Sequence, residues 1–437
     1  MRTGSLTRHT LLNLVGAAAP AVLGFSLLPA ITRGLGLERY GLLALALALL
    51  EFGTLFSLGF GPATTKYVAE SFARGDGEAR RLLVLSVGWQ AVLGAIGGAA
   101  IALLAGVLAT RVFTVPGALQ EEAAGVFRLV GLLLPTTLVF GTLLGALEGA
   151  RRFGYSNLLR VPVSAATFVV PVVMLRYTAA LPSIILVLVV VRALFAVGAA
   201  LILRTVLPHA PRGSSDVLSA PVASRSGQLL AFGAWVTVSS VLSSVLVYGE
   251  RLMLGAGAGV RATGLYAAPL DALLRVLLVP ASVVRALFPL VSGEHARANT
   301  VLVRAVFGRA TAALALLIAP PLLVVAAFAP QLLGWWLGPE FAAGVGTATR
   351  LLALGVLANS MAQVPASFLL AMGRPDIPTK LHVAEVVAYV PLAAWLILTF
   401  GVTGAAMAWA ARAAVDAGLL FFVTRRILAR AAVAPAA

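Results

Sequence analysis

The sequence predicts an all-α polytopic membrane protein of about twelve transmembrane helices, arranged as two pseudo-symmetric six-helix bundles. Three observations carry that expectation. Hydrophobic residues make up 60% of the 437 positions and charged residues only 11%, with a mean hydropathy of +1.01, a composition suited to hydrocarbon rather than water. Apolar runs of roughly 20 residues, the length that spans a bilayer as a helix, recur along the chain, and the short alternating strands of a closed barrel do not. The third observation is an internal duplication. Gly34, Gly36 and Gly41 in GLGLERYG are matched by Gly257, Gly259 and Gly264 in GAGVRATG, at an offset of 223 residues (257 minus 34, and 264 minus 41). Each glycine turn leads into a long apolar segment ending in Pro, as Pro62 in one copy and Pro289 in the other. Gly149 and Gly373 form a third pair at nearly the same offset. A period of half the chain implies two equivalent halves, a build common among secondary transporters.

Taken in order, the first ten residues carry Arg2 and Arg8 ahead of the apolar run 11–31. That run is longer than the core of a signal peptide and is followed by no clear small-x-small cleavage site, so it reads as a retained first helix. Pro20 and Pro29 inside it are tolerable as kinks, because neighbouring membrane helices re-satisfy the freed backbone groups. Further spans are expected at 41–63, 82–107, 125–147, 158–175 and 181–203, with Gly94, Gly97 and Gly98 offering a small face for close packing in the third. Residues 204–228, rich in Pro, Ser and Gly, read as a cytoplasmic linker between an N-terminal bundle, 1–203, and a C-terminal bundle, 229–437. The second half repeats the scheme at 229–248, 263–287, 306–329, 348–370, 381–399 and 402–423.

The net charge of +16 does not point to nucleic acid, because the Lys and Arg residues lie between apolar runs and form no basic domain. They act as topology signals. Lys66, Arg74, Arg80, Arg81, Arg151 and Arg152 concentrate on one side, which places both termini in the cytoplasm and Arg39, Arg176 and Arg261 outside. No cysteine is present, which removes disulfides, thiolate metal sites and cysteine nucleophiles together. His9, His209, His295 and His382 lack metal-ligand spacing, so no metal and no cofactor is expected. GPATTK at Gly61 lacks the second Gly and the Gly-Lys-Ser/Thr ending of a phosphate-binding loop, and no Gly-x-Ser-x-Gly elbow occurs. Enzyme chemistry therefore finds no footing.

What remains is ionisable side chains inside apolar helices, which are costly unless paired or facing water. Asp271 and Arg275 are four residues apart on one helical face, as are Arg412 and Asp416, and each pair reads as a structural ion pair. Glu51 and Arg192 have no partner on their own helices and are either cavity groups or paired across helices. Arg160, Arg251, Arg285, Lys380 and Glu385 lie nearer helix ends and read as snorkelling side chains, with Glu250 beside Arg251 at the mouth of the seventh span. The site expectation is therefore Arg192, Arg251 and Arg275 toward an anionic group, and Glu51, Asp271 and Glu250 as charge partners or carriers of a coupling ion.

GERLMLGAGAGVRATGLYAA, the ALFPLVS segment ending at Ser292, LLGWWLGPEFAAG, AMGRPDIP and GVTGAAMAWAAR together resemble the oligosaccharide flippases of the multidrug, oligosaccharidyl-lipid and polysaccharide exporter superfamily. The similarity runs over nearly the whole chain, and the order and spacing of the motifs supply most of its specificity. Members often carry Asp where this chain has Glu250, and some have two further helices. The resemblance implies two six-helix bundles around a central cavity. It also implies transport of undecaprenyl-pyrophosphate-linked sugars across a bacterial inner membrane, alongside polysaccharide polymerase and glycosyltransferases. Two other classes stay open. A proton- or sodium-coupled multidrug exporter needs a membrane carboxylate; 11–31 holds none, though Glu51 is available. A membrane glycosyltransferase needs acidic residues on an outer loop, where the first such loop offers only Glu38.

Overall fold

The computed structural model describes residues 3–58, 60–74, 78–207, 242, 245–297 and 299–433. The chain folds into two compact units, Met1–Tyr248 and Gly249–Ala437. In unit 1 the helices are α1 (Thr3–Gly53), α2 (Phe60–Arg74), α3 (Ala79–Val107), α4 (Gln120–Gly149), α5 (Phe153–Met174) and α6 (Leu181–Val206). α7 (245–257) leads into unit 2. There follow α8 (Gly259–Leu274), α9 (Leu278–Ala296), α10 (Thr300–Trp336), α11 (Pro339–Ala371) and α12 (Asp376–Val433). No strand occurs among the described residues, so the all-helical expectation holds. Nine helices there are long and apolar enough to cross a membrane, and two of them are broken into paired limbs at glycines, Gly36 in α1 and Gly401 in α12. The expected span 229–248 and the linker 204–228 lie largely outside the described residues.

The duplication seen in the sequence recurs in backbone geometry. Gly36 and Gly259, one repeat apart, adopt φ values of +76° and +88°, a region in which a Cβ is penalised and glycine is the natural occupant. Beside each bend stands an arginine that grips the first turn of a later helix. Arg39 Nε donates to Glu122 Oε2 at 3.0 Å in unit 1, and Arg261 pairs with Glu340 in unit 2. Glu122 also accepts from the Leu181 N–H at 2.9 Å, so one carboxylate ties α1, α4 and α6 together.

The third glycine pair corresponds differently from the sequence expectation. α4 ends with the Arg152 N–H donating to Leu147 O at 2.8 Å, and α11 ends with the Arg374 N–H donating to Leu369 O at 2.8 Å. These are matching helix-terminating turns. Their left-handed residues are Arg151, φ +58°, and Gly373, φ +73°. Gly373 is thus the structural counterpart of Arg151 rather than of Gly149. Gly149 instead lies against α2, where a Cβ would come within 2.7 Å of Thr65 O.

α4 and α11 are equivalent in the repeat, and each is the central helix of its unit. α4 packs on α2, α3 and α6, and α11 packs on α8, α9, α10 and α12. Outward faces are apolar: Leu103, Leu316 and Leu398 are 84%, 78% and 74% exposed, which costs nothing where lipid tails are the solvent. Lipid offers no hydrophobic drive for helices to associate, so contact depends on close backbone approach. The α3–α4 seam meets that need with the small face expected at Gly94–Gly98. A Cβ on Gly98 or Gly131 would overlap the other residue's carbonyl oxygen, and one on Gly94 would sit 2.6 Å from Pro135 Cα. In unit 2, Gly355 of α11 plays the same part against Trp409, 2.8 Å from where its Cβ would be.

Gly98→Leu is therefore expected to lower the stability of the detergent-solubilised protein by about 1–3 kcal/mol, the usual cost of overpacking. Gly106→Ala, on the same helix with nothing within 4 Å, is expected to be neutral. Equal thermal melting midpoints for the two variants would remove the seam from its role.

Candidate functional site

Unit 1 contains a cavity of about 680 Å³. Its long wall is one face of α4, because Thr137, Gly141, Gly145 and Glu148 recur at helical spacing and keep that stripe free of bulky side chains. The opposite wall comes from Thr54, Ser57, Gly61 and Thr65, with Gln90 contributed by α3 and Arg160 by α5. Gly145 is required there, since a Cβ would meet Thr65 Oγ1 at 2.7 Å.

The lining is chemically specific. Thr137, Thr142 and Thr65 each donate to a carbonyl four residues back, at 2.7, 3.0 and 3.2 Å, which leaves their oxygens able to accept from other groups. Thr137 uses that capacity: Arg192 Nη1 of α6 donates to its Oγ1 at 2.7 Å. Gln90, fully buried, donates through Nε2 to Ser57 O at 2.8 Å, while its Oε1 is without a hydrogen-bond donor among the described residues. Glu148 accepts from Ser156 Oγ at 2.9 Å and pairs with Arg160. Lys66 also lines the cavity, so two cations face one carboxylate. The site suits a hydroxyl-rich molecule that carries negative charge.

Unit 2 holds a second polar group of side chains. Glu250 and Tyr266 are fully buried, and Arg251, Asp416, Glu385 and Arg412 nearly so. Arg251 pairs with Asp271, and Arg275 Nη1 donates to the backbone oxygen of Asp271 at 2.7 Å. Arg412 lies over the rings of Tyr389 and Trp409, 5.7 Å from each centroid, with its Nη1 3.7 Å from Glu385 Oε2. His382 Nε2 is 3.8 Å from Asp416 Oδ1.

The residues singled out in the sequence thus meet different partners from those that helical spacing suggests. The Asp271 carboxylate is held by Arg251, twenty residues away, while Arg275, four residues on, is bonded to the Asp271 carbonyl. Arg412 lies against Glu385 and Asp416 against His382, since the break at Gly401 brings the two limbs of α12 side by side. Glu51 lies near enough to Arg192 for their charges to interact. Arg285 bonds the Ala281 carbonyl at 3.0 Å and Lys380 approaches Asp376 at 3.9 Å, both at exposed positions. Sequence reading overlooked Lys66 and Arg160 as cavity cations and treated Arg160 as a snorkelling side chain. The available signal was Glu148, twelve residues before Arg160 across a tight turn.

The sequence profile of the polysaccharide biosynthesis protein family matches residues 6–294. The Shigella flexneri protein named "Putative O-antigen transporter" is 25% identical over 431 residues, 97% of this chain and 98% of its own. Among solved structures, the inward-facing form of a multidrug resistance MATE family transporter of the MOP superfamily superposes with a TM-score of 0.66 at 16% identity, covering 98% of this chain and 96% of that one. A MOP superfamily transporter from Pyrococcus furiosus, whose binding pocket is described as reversed in polarity, gives 0.61 at 15% identity, covering 98% and 96%. These likenesses show the fold, and relatives of this kind are transporters rather than enzymes.

With no native cysteine to interfere, the cavity can be tested by single introduced thiols. Gly141→Cys, where a Cβ meets nothing within 4 Å, is expected to react with a membrane-impermeant maleimide in opened vesicles. Leu103→Cys, on the lipid face, is expected not to. Equal labelling of both would mean that water does not fill the cavity.

Proposed function

The chain belongs to the polysaccharide biosynthesis protein family, and on that premise we propose that it moves a polyprenyl-pyrophosphate-linked oligosaccharide from the inner to the outer leaflet of a bacterial inner membrane. The observation that carries this reading is the unit 1 cavity, where threonine and glutamine side chains suited to sugar hydroxyls sit with Lys66 and Arg160, suited to pyrophosphate. Both cations lie at the end of α4 that closes in the basic turn Arg151–Arg152. Lys and Arg mark the cytoplasmic side, so they face the leaflet where such a substrate would enter. Arg192 reaches the same wall from α6 through its hydrogen bond to Thr137. In unit 2, Arg251, paired with Asp271, and Arg275, bonded to the Asp271 backbone oxygen, are the corresponding cationic candidates, with Glu250 buried beside Arg251 in the chain.

Alternating access by the two halves of the duplication supplies the movement. The membrane potential favours it, since carrying negative charge outward down an inside-negative potential gains about 2.3 kcal/mol per charge per 100 mV. Glycosyltransferases and a polymerase are the partners this role implies. Export of cationic drugs is the rival role within the same fold, and the excess of cations over acids in the cavity opposes it.

Deleting the gene is expected to accumulate the lipid-linked glycan on the cytoplasmic leaflet and to deplete the surface polymer. Lys66→Ala or Arg160→Ala, each removing about 1.5 kcal/mol of charge-assisted bonding, should lower flipping roughly tenfold. Normal glycan distribution in the deletion strain, with new sensitivity to cationic drugs, would transfer the protein to the exporter class.

The topology has its own test. Arg261→Cys is expected to label from outside intact cells and Arg151→Cys only after permeabilisation. The reverse pattern would invert the orientation.

A further inference from the structure

The buried charges of unit 2 do not balance. Among the described residues of unit 2 three acids are buried, Glu250, Glu385 and Asp416, against two guanidinium groups, those of Arg251 and Arg412. Arg251 pairs with the partly exposed Asp271 and also lies within charge range of Glu250, so Arg412 is shared among the buried carboxylates. Arg412 satisfies none of them fully: its 3.7 Å approach to Glu385 is too long for a hydrogen bond. Both carboxylate oxygens of Glu250, both of Glu385, and Oδ1 of Asp416 have no hydrogen-bond donor among the described residues. Glu250, Glu385 and Asp416 are 0%, 8% and 5% exposed. Such carboxylates cost several kcal/mol each if they stay ionised.

One part of this cluster is built to resolve the excess. A ligand atom from each of His382, Glu385 and Asp416 lies within 4.8 Å of the others. Two buried carboxylates held that close repel each other, and a proton shared between them relieves the repulsion. One shared proton would leave the pair with a single negative charge, so that with Glu250 two negative charges stand against the two guanidinium groups of Arg251 and Arg412. A metal ion in the same place would stand beside that guanidinium and be repelled. The side chain of His382 is 38% exposed, against 7% for Asp416, and it lies within two turns of the charged start of α12, where Arg374, Asp376 and Lys380 are exposed, so it is the member of the cluster nearest to water.

We propose that Glu385 and Asp416 form a proton-binding site in unit 2, loaded and emptied through His382. In loading, the His382 imidazolium gives its Nε2 proton to Asp416 Oδ1, across a 3.8 Å gap that one bridging water closes. The imidazole becomes neutral and the carboxyl pair gains one proton. The other titratable or charged groups around the pair are Tyr389 and Arg412 on α12, Glu250 and Arg251 on α7, and Tyr266 and Asp271 on α8. From α11 and α10, which also pack on α12, Arg350, Arg304 and Arg309 are exposed and Glu340 is committed to Arg261. The site stands on unit 2 alone; its use to couple proton flow to glycan transport rests on the transport reading.

The test uses the purified full-length protein without substrate, so that failure of the site and failure of the transport reading remain distinct. Infrared spectra in metal-free buffer at neutral pH are expected to show a protonated-carboxyl band that titrates as the pH is raised. Glu385→Gln and Asp416→Asn, both nearly isosteric, should each abolish it. His382→Ala should retain the band but slow its response to a pH jump at least tenfold, a change that a merely structural histidine would not produce. Absence of the band in the wild-type protein would overturn the proposal, as would its removal by added Na⁺ or Zn²⁺ or its survival in both carboxylate variants.

Discussion

The constraint on which the rest depends is the cost of an unsatisfied charge or polar group in hydrocarbon. Most of the surface of this protein evades the cost by carrying no polar group at all. Where charge enters the helices, partners gather around it: Arg192 on Thr137, Arg160 on Glu148, Arg251 on Asp271. Polar chemistry is thereby confined to a few places, and those places are the natural candidates for function. A water-soluble protein of this size would scatter its ion pairs over the whole exterior.

Small residues serve two purposes along the same helix. On α4, Gly131 allows α3 to approach until backbones touch and Gly145 allows α2 to come close, whereas Gly141 leaves room for the cavity. Absence of a side chain produces contact in one case and empty volume in the other. The difference lies in the neighbour: the α3 backbone closes on Gly131, while a Cβ on Gly141 would meet nothing. The threonines between them belong to the same economy of space, since each satisfies its own hydroxyl proton on the helix and keeps an acceptor free.

Much of the fold was legible in the sequence because it is written in composition and period. Long apolar runs, the matched glycines at Gly36 and Gly259, and the small face at Gly94–Gly98 all act locally, so they survive reading in one dimension. The mispaired glycine shows the limit. Gly149 and Gly373 look alike in sequence, yet left-handed geometry falls on Arg151 and Gly373, because a helix-terminating turn is fixed by carbonyls five residues back rather than by residue type alone. Partner choice was the least legible feature. Asp271 with Arg275 and Arg412 with Asp416 are the pairs that spacing offers, but Arg251 and Glu385 approach from other helices or limbs, and a one-helix argument cannot foresee them. His382 was invisible for the same reason: its neighbours in the chain include one acid of the cluster, and the second arrives only across the break at Gly401.

The two helix-terminating turns place different residues in the same geometry. Gly373 sits in its left-handed conformation without strain, while Arg151 occupies the equivalent geometry with a full side chain, at a penalty of about 1–2 kcal/mol. A basic residue beside an anionic membrane surface gains about 1 kcal/mol, close to the strain it must offset. The first half of the duplication therefore carries a strained arginine at a turn where the second half has an unstrained glycine. A glycine at position 151 would relieve that strain and remove one positive charge, so two opposed costs meet at a single residue.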